Sequence, residues 1–485
     1  MRVARRGVSR RVVAAVAVTI CILGGVAAQA AIPPAPHPYV PEIGASPEGW
    51  LLAPPSKVLI NLPLPGKVVG TKGAHSNAVW REVLLNANRY ALTTWWDKYM
   101  RNKEVVTAPE VLLNGEEVRR FTSEAYSLAV SLATGAYDAK ATGLDRPTAI
   151  QRTALLVGLV ARNHKINTTN GTGWGGSWQG SYWASMVAQA AWLLGADLPA
   201  SDSLLVGRML EYEATVTTWR PVHYYRDRSG TVLTPGDSGG EELAWDGMGL
   251  FTAVELLPFN TKRAYWAEQA YLRMVAAYSR PSDVFRDVTV SGMNLSVWLR
   301  GSNAEPSGFI VNHGRLNPDY TACVGLSLAA ASLAPLLGDA VPNAARFNAG
   351  VTYASLSQYR FPRSGETVYR PGTGAINYPD GSSWGNLRPI AFASLDAQMR
   401  ALGFGATAHA ADWESRHVDD VLKMQQRGTS GQSYQEGDND RYPLREEMVA
   451  ANAGLAYLTD WVAAKNLVRW DDSPASAKTV QRLHL

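Results

Sequence analysis

The sequence predicts an all-α fold, an (α/α)6 toroid over 76–465. Three observations lead there. Twelve segments carry helical periodicity, with no convincing series of alternating strands. Amphipathic stripes alternate with helices that are apolar nearly all round, and short turns alternate with long connections.

In order, the predicted helices are 76–100, 120–135, 147–163, 178–195, 202–218, 240–257, 261–280, 316–337, 341–357, 386–402, 406–425 and 444–464. The first shows a stripe at Val79, Val83, Ala87, Tyr90, Ala91 and Trp95, and the seventh repeats the pattern at Ala267, Ala270, Tyr271, Met274, Val275 and Tyr278. Trp183 to Leu194 and Cys323 to Leu337 are instead small-residue-rich and apolar all round, as helices buried on most faces are. Helical hairpins close at Leu194-Gly195, Leu337-Gly338 and Leu402-Gly403, where a glycine after leucine suits the left-handed position past a helix end, and at Leu257-Pro258. The alternate connections, 102–119, 164–176, 219–239, 281–315, 358–385 and 426–443, are long. Antiparallel neighbours send short and long connections to opposite ends, so the long ones share one face. An irregular α-solenoid is the alternative architecture.

Around this domain the expected organisation is a signal peptide at 1–30, a Pro-rich extended arm at 31–75 and a C-terminal tail at 466–485. The leader has an arginine-rich start, an apolar run from Val12 to Ala28 and a small-x-small end at Ala28-Gln29-Ala30. Export by a Sec signal or, through Arg10-Arg11, a twin-arginine signal follows. No later segment is expected to be long and apolar enough to cross a bilayer. The arm holds ten of the 27 prolines between Pro33 and Pro65. Composition is otherwise globular: 485 residues, 46% hydrophobic, 18% charged, with 16 tryptophans in excess of the usual share. The net charge of +4 arises in the leader, because without Arg2, Arg5, Arg6, Arg10 and Arg11 the balance is 41 against 42. A nucleic-acid partner thereby loses its support. Cys323, the one cysteine beyond the leader, reads as a small buried side chain.

Long loops on a rigid scaffold carry function. Here they bring Trp174, Trp178 and Gln179, then Glu241, Glu242, Trp245 and Asp246, then Asn312, His313, Arg315, Asp319 and Tyr320, then Asp380, Trp384 and Arg388, and finally Arg441, to the starts of the inner helices. Indoles stack on the apolar faces of sugar rings, amides and charged groups satisfy hydroxyls, and arginines pair with carboxylates, so the set suits an acidic carbohydrate. The sharpest constellation is Asn312-His313-Gly314 with Tyr320. Elimination across a uronic acid needs a neutralised carboxylate and a group that moves a proton. Asn312 and His313 suit the first task and Tyr320 the second.

Asn-His-Gly before an inner helix, Trp-Gly-x-x-Trp-Gln before another and Tyr-Pro-Asp-Gly-Ser-x-Trp together resemble the α-toroid polysaccharide lyases of alginate, heparin and chondroitin. That resemblance implies secreted cleavage of a uronate-containing polysaccharide by β-elimination, with Asn312, His313 and Tyr320 as the catalytic set. Val311 stands where those lyases usually carry a second asparagine, and no room is left for the β-sandwich they usually append. A glycoside hydrolase using two of Glu241, Glu242, Asp246, Asp319 and Asp380 is the second enzyme reading. A glycan-binding or cell-wall scaffold is the non-enzymatic one. No cofactor is expected. Asp438-Asn439-Asp440 has an Asp-x-Asp pattern that suits calcium but lacks a twelve-residue loop ending in Glu, and no His pair has zinc spacing.

Overall fold

The computed structural model describes residue 44 and residues 46–60, 74–101 and 115–471. The chain divides into two units, Met1–Tyr39 and Val40–Leu485. The first, with the expected signal peptide, lies wholly outside the described residues, as do much of the arm and of the C-terminal tail.

The second unit is mostly helical. Its main helices are α1 (Ala74–Tyr90), α2 (Gly115–Ala133), α3 (Arg146–Arg162), α4 (Gly180–Leu194), α5 (Ala200–Trp219), α6 (Gly240–Leu256) and α7 (Arg263–Ala277), followed by α8 (Pro318–Ala322), α9 (Val324–Leu328), α10 (Ala330–Leu337), α11 (Ala349–Gln358), α12 (Pro389–Ala401), α13 (Ala410–Gln425) and α14 (Arg445–Ala464). Strands among the described residues are two-residue pairings only, in keeping with an all-α class.

Sequence chemistry explains the boundaries. Asp145 accepts from the Thr148 amide at 2.9 Å and Pro147 occupies the first turn of α3, a good start on both counts. Gly338 and Gly403 take positive φ of 86° and 79° after Leu337 and Leu402, as the hairpin turns require. Apolar composition decides burial: every residue of α6 except Glu242 is buried.

Four expectations need correction. The helix expected over 316–337 is three consecutive helices, α8 to α10. Cys323 and Ala329 take flattened backbone angles, with ψ of −6° and −21°, at the two joints, while Pro335 lies inside the third helix. The same stretch, Pro318–Leu337, meets the length and hydropathy of a membrane span, with a mean hydropathy of 1.6, but 78% of it is buried inside the protein, as in a core helix. The ninth helix starts at Ala349 rather than 341, because Asn348 sits in a left-handed conformation immediately before it. Finally, the first helix passes through a π-helical turn at Ala91–Trp95 before Trp96–Tyr99.

The arm is also less extended than composition implies. Within residues 46–60, the Trp192 indole donates to the Pro54 carbonyl at 3.1 Å, the Ala53 amide to Leu256 at 2.8 Å and the Ser56 hydroxyl to Leu336 at 2.6 Å. These contacts strap the C-terminal ends of α4, α6 and α10 together. Trp50 completes the strap by donating to the buried Glu211 carboxylate, which Lys262 also holds. Beyond α14, the pair Trp470–Asp471 runs parallel to Val341–Pro342, so the start of the expected tail is likewise packed.

Among the helices, α2 packs on α4, α4 on α6, α6 on α9 and α10, α9 on α12, α12 on α14, and α14 on α2. The others lie against these: α1 and α13 against α14 and α12, α3 and α5 against α2 and α4, α7 against α6, and α11 against α8 and α9.

Candidate functional site

A cavity of about 510 Å³ opens between α2, α4, α6, α8 to α10, α12 and α14. Trp178, Gln179, Trp245, Tyr320, Trp384 and Arg388, all picked from the sequence, line it together with Arg119 and Tyr442. Trp178 is 56% exposed and meets the buried Trp245 edge-on with ring centroids 5.2 Å apart, giving an indole platform at the mouth. Trp384 faces Tyr442 across 5.5 Å.

The residues at the rim come from a hairpin. Val311–Asn312 pairs antiparallel with Arg315–Leu316, and the two-residue turn His313-Gly314 has φ of 52° and 74°. Two successive positive φ values define the tight hairpin turn in which glycine is favoured and a non-glycine residue is strained. Gly314 therefore answers a backbone need, and His313 is held in a conformation that projects it from the hairpin tip. Loop 236–238 fixes the hairpin from below: the Gly314 amide donates to Gly236 at 2.9 Å and the Ser238 amide to Val311 at 2.8 Å.

His313 is exposed. Its Nδ1 lies 2.7 Å from Ser383 Oγ and its Nε2 3.5 Å from the Tyr320 hydroxyl, with ring centroids 5.4 Å apart. Burial pushes the Tyr320 phenol well above its ordinary range. Asn312 is buried and turns the other way: its amide donates to Glu241 at 2.6 Å and to Asp237 at 3.0 Å. Glu241 is itself pushed well above the usual carboxylate range, first by burial and then by Asp237 and Glu242. The Asn312 amide hydrogens are thus spent inside the protein. Arg315 donates weakly to the His313 carbonyl at 3.3 Å and lines, with Asp380 and Arg363, a second and more polar cavity beside the hairpin.

Other expectations change with side-chain direction. Trp174 does not reach the cavity: it is 4% exposed, its indole donates to the Val160 carbonyl at 2.9 Å, and it packs edge-on against the buried His164. Arg388 is held between Asp319 at 2.8 Å and Asp440 at 3.6 Å, so its charge is met within the protein. Arg441 is exposed and outside the cavity wall, where its backbone amide donates to Trp384 at 2.7 Å. Asp246 is buried against Arg220 at 3.1 Å and accepts from Ser181 at 3.1 Å. Glu242 lies 3.8 Å from His223. Among the described residues, Asp319 is the one acid lining the cavity, and it already accepts from Tyr378 at 2.9 Å as well as from Arg388.

Arg119 is the residue that sequence reading missed. It lies in the first turns of α2, at the boundary assigned to a loop, accepts company from the Tyr442 ring at 5.2 Å and donates to Gln179 at 3.3 Å. Among the described residues no acid forms an ion pair with it. The signal available was its position, a cation at the start of an inner helix.

Comparison with protein-family models, curated proteins and solved structures returns no match. Among the described residues no group of His, Cys, Asp or Glu is arranged to hold a metal ion. Asp438 is taken by Arg427 at 2.9 Å, and Asp440 by the Tyr442 amide at 2.8 Å.

Proposed function

We propose that this chain is an exported polysaccharide lyase on an (α/α)6 toroid, cleaving a uronate-containing glycan by β-elimination. The toroid rests on the packing of α2, α4, α6, α9 with α10, α12 and α14, whose successive contacts return to α2, while the remaining helices lie against them. Export rests on the arginine-rich, apolar leader.

The observation that carries the chemistry is the His313–Tyr320 pair, in which Tyr320 lines the cavity and His313, just outside that lining, reaches its hydroxyl at 3.5 Å. In this reading His313 Nε2 takes the proton next to the uronate carboxylate. The electron pair left behind forms the new carbon–carbon double bond as the glycosidic carbon–oxygen bond breaks. Tyr320, a neutral phenol, gives its proton to the leaving oxygen. Ser383 orients the imidazole through Nδ1. Asn312 supports the hairpin through Glu241 and Asp237, and neutralisation of the substrate carboxylate falls to Arg119. Trp178, Trp245 and Trp384 supply sugar-facing surfaces.

The hydrolase reading is less favoured on one specific ground. Inverting hydrolysis needs two carboxyl groups about 6.5–9.5 Å apart across a water, and of the five candidate acids Asp319 alone lines the cavity.

Purified protein incubated with a panel of uronate polymers and neutral glycans tests the proposal. A rise in ultraviolet absorbance from a double bond conjugated to a carboxylate is the expected result with at least one uronate polymer. New reducing ends without that absorbance would replace the lyase with a hydrolase. For Arg119→Gln, KM on the acidic substrate should rise about tenfold to a hundredfold, the worth of one hydrogen bond to a charged group, with kcat changed much less. An unchanged KM removes Arg119 from substrate binding.

A further inference from the structure

The cavity is chemically divided along its depth. Its mouth carries Trp178, Arg119 and Tyr320. From Tyr182 to Gln189 along α4 it descends about 10 Å at 1.5 Å per residue. The lower part is lined by Met186, Met248, Leu326, Leu395 and Leu455, while Met448, nearer the mouth, accepts from Arg388 at 3.1 Å.

Polar side chains occur at this depth, but they are turned to the protein's own groups. Ser185 donates to the Tyr182 carbonyl at 2.7 Å, Gln189 to Thr252 at 3.4 Å, and Ser394 to the Asn452 carbonyl at 3.3 Å. Gln398 donates to the Gly325 carbonyl at 3.0 Å and Asn452 to the Met448 carbonyl at 2.9 Å. Gln398 Oε1 and Trp183 Nε1 are the two buried atoms of this wall without a partner. A sugar ring placed here would give up its hydration at several hydroxyls and meet mostly apolar side chains and polar groups already engaged within the protein. A hydrocarbon chain gives up nothing, and Met186 and Met248 adapt to its shape.

We propose that the lower cavity binds a hydrocarbon chain carried by the ligand, so that the molecule recognised is an acidic sugar bearing an acyl, alkyl or isoprenyl substituent. The sugar end rests on the reading above; the chain site does not. Hydrocarbon burial continues down the helix axes from the indole platform, and the saccharide stays at the mouth within reach of Arg119 and His313.

Alkyl glucuronides of increasing length, titrated calorimetrically into the whole protein below their micelle-forming concentrations, test this. Affinity should rise about threefold to fourfold per methylene until the floor is filled. Decyl and geranyl glucuronides, compared at equal carbon count, distinguish a straight chain from an isoprenyl one. Filling the floor with Ala451→Phe should flatten the length dependence and leave binding of methyl glucuronide unchanged. Ala329→Leu serves the same purpose with a smaller side chain if the first variant does not fold. Affinity that is flat with chain length in the unaltered protein overturns the inference while leaving the saccharide reading intact. Alkyl chains bearing no sugar that bind as tightly as the glucuronides of equal length would support the chain site and sink the saccharide reading.

Discussion

Replacing His313 with Ala should lower kcat on the preferred uronate polymer by about a hundredfold to ten-thousandfold, the usual contribution of one positioned proton-transfer group. KM should change little, because the imidazole acts on a proton rather than on the bulk of the sugar. His313 is exposed and its hydrogen-bonding contacts are with Ser383 and Tyr320 at the rim, so the denaturation midpoint should stay near that of the unaltered protein. His313→Asn is the sharper variant. Asparagine tolerates the left-handed backbone at φ 52° better than alanine, so it preserves the hairpin while removing the base. If His313→Asn keeps full elimination, the proton acceptor lies elsewhere. Ser383→Ala separates orientation from chemistry: freeing Nδ1 of its 2.7 Å partner should reduce kcat by less than loss of the ring does.

The parts of this fold legible in the sequence are those set by periodicity. The stripe at Val79, Val83 and Ala87 belongs to an observed helix whose residues at these positions are buried or half-buried, and α6 reads as apolar because nearly all of it is inside. The misreadings have particular causes. An apolar run such as 316–337 looks continuous because hydrophobicity does not register the backbone joints at Cys323 and Ala329. The stretch after Ser46 looks like a linker because proline signals extension, yet the carbonyls of Gly49 and Pro54 accept from Asn260 and Trp192 and dock it. Side-chain direction was least accessible. Trp174 and Trp178 are four residues apart in one glycine-rich loop, and only the second reaches the cavity, since the Trp174 indole finds the Val160 carbonyl and the His164 ring inside. Asn312 and His313 were visible as neighbours, but a tight turn sends one into the core and the other to the rim.

Arg400→Met should cost about 3–5 kcal/mol of stability, the penalty for leaving buried charge without its partner. The Arg400 guanidinium, on α12, binds Glu414 of α13 through two nitrogens and Asp460 of α14 at 2.6 Å. Both acids are almost inaccessible, at 4% and 3% exposure. Trp80 donates to Glu414 at 2.8 Å and Asn77 to Asp460 at 3.0 Å, so α1 joins the same network. Arg400 therefore bridges two carboxylates at the meeting of four helices. Methionine fills comparable volume and deletes every donor, whereas Arg400→Lys keeps a charge but loses the fork that reaches both acids. The lysine variant should fall between the two in urea midpoint, with the denaturant slope unchanged. The double variant Arg400→Met with Glu414→Gln should recover part of the loss, because one of the two stranded charges is gone while its amide still accepts from Trp80. Equal stability of Arg400→Met and the unaltered chain would mean that water reaches these carboxylates and that the junction of α1, α12, α13 and α14 is held by apolar packing alone.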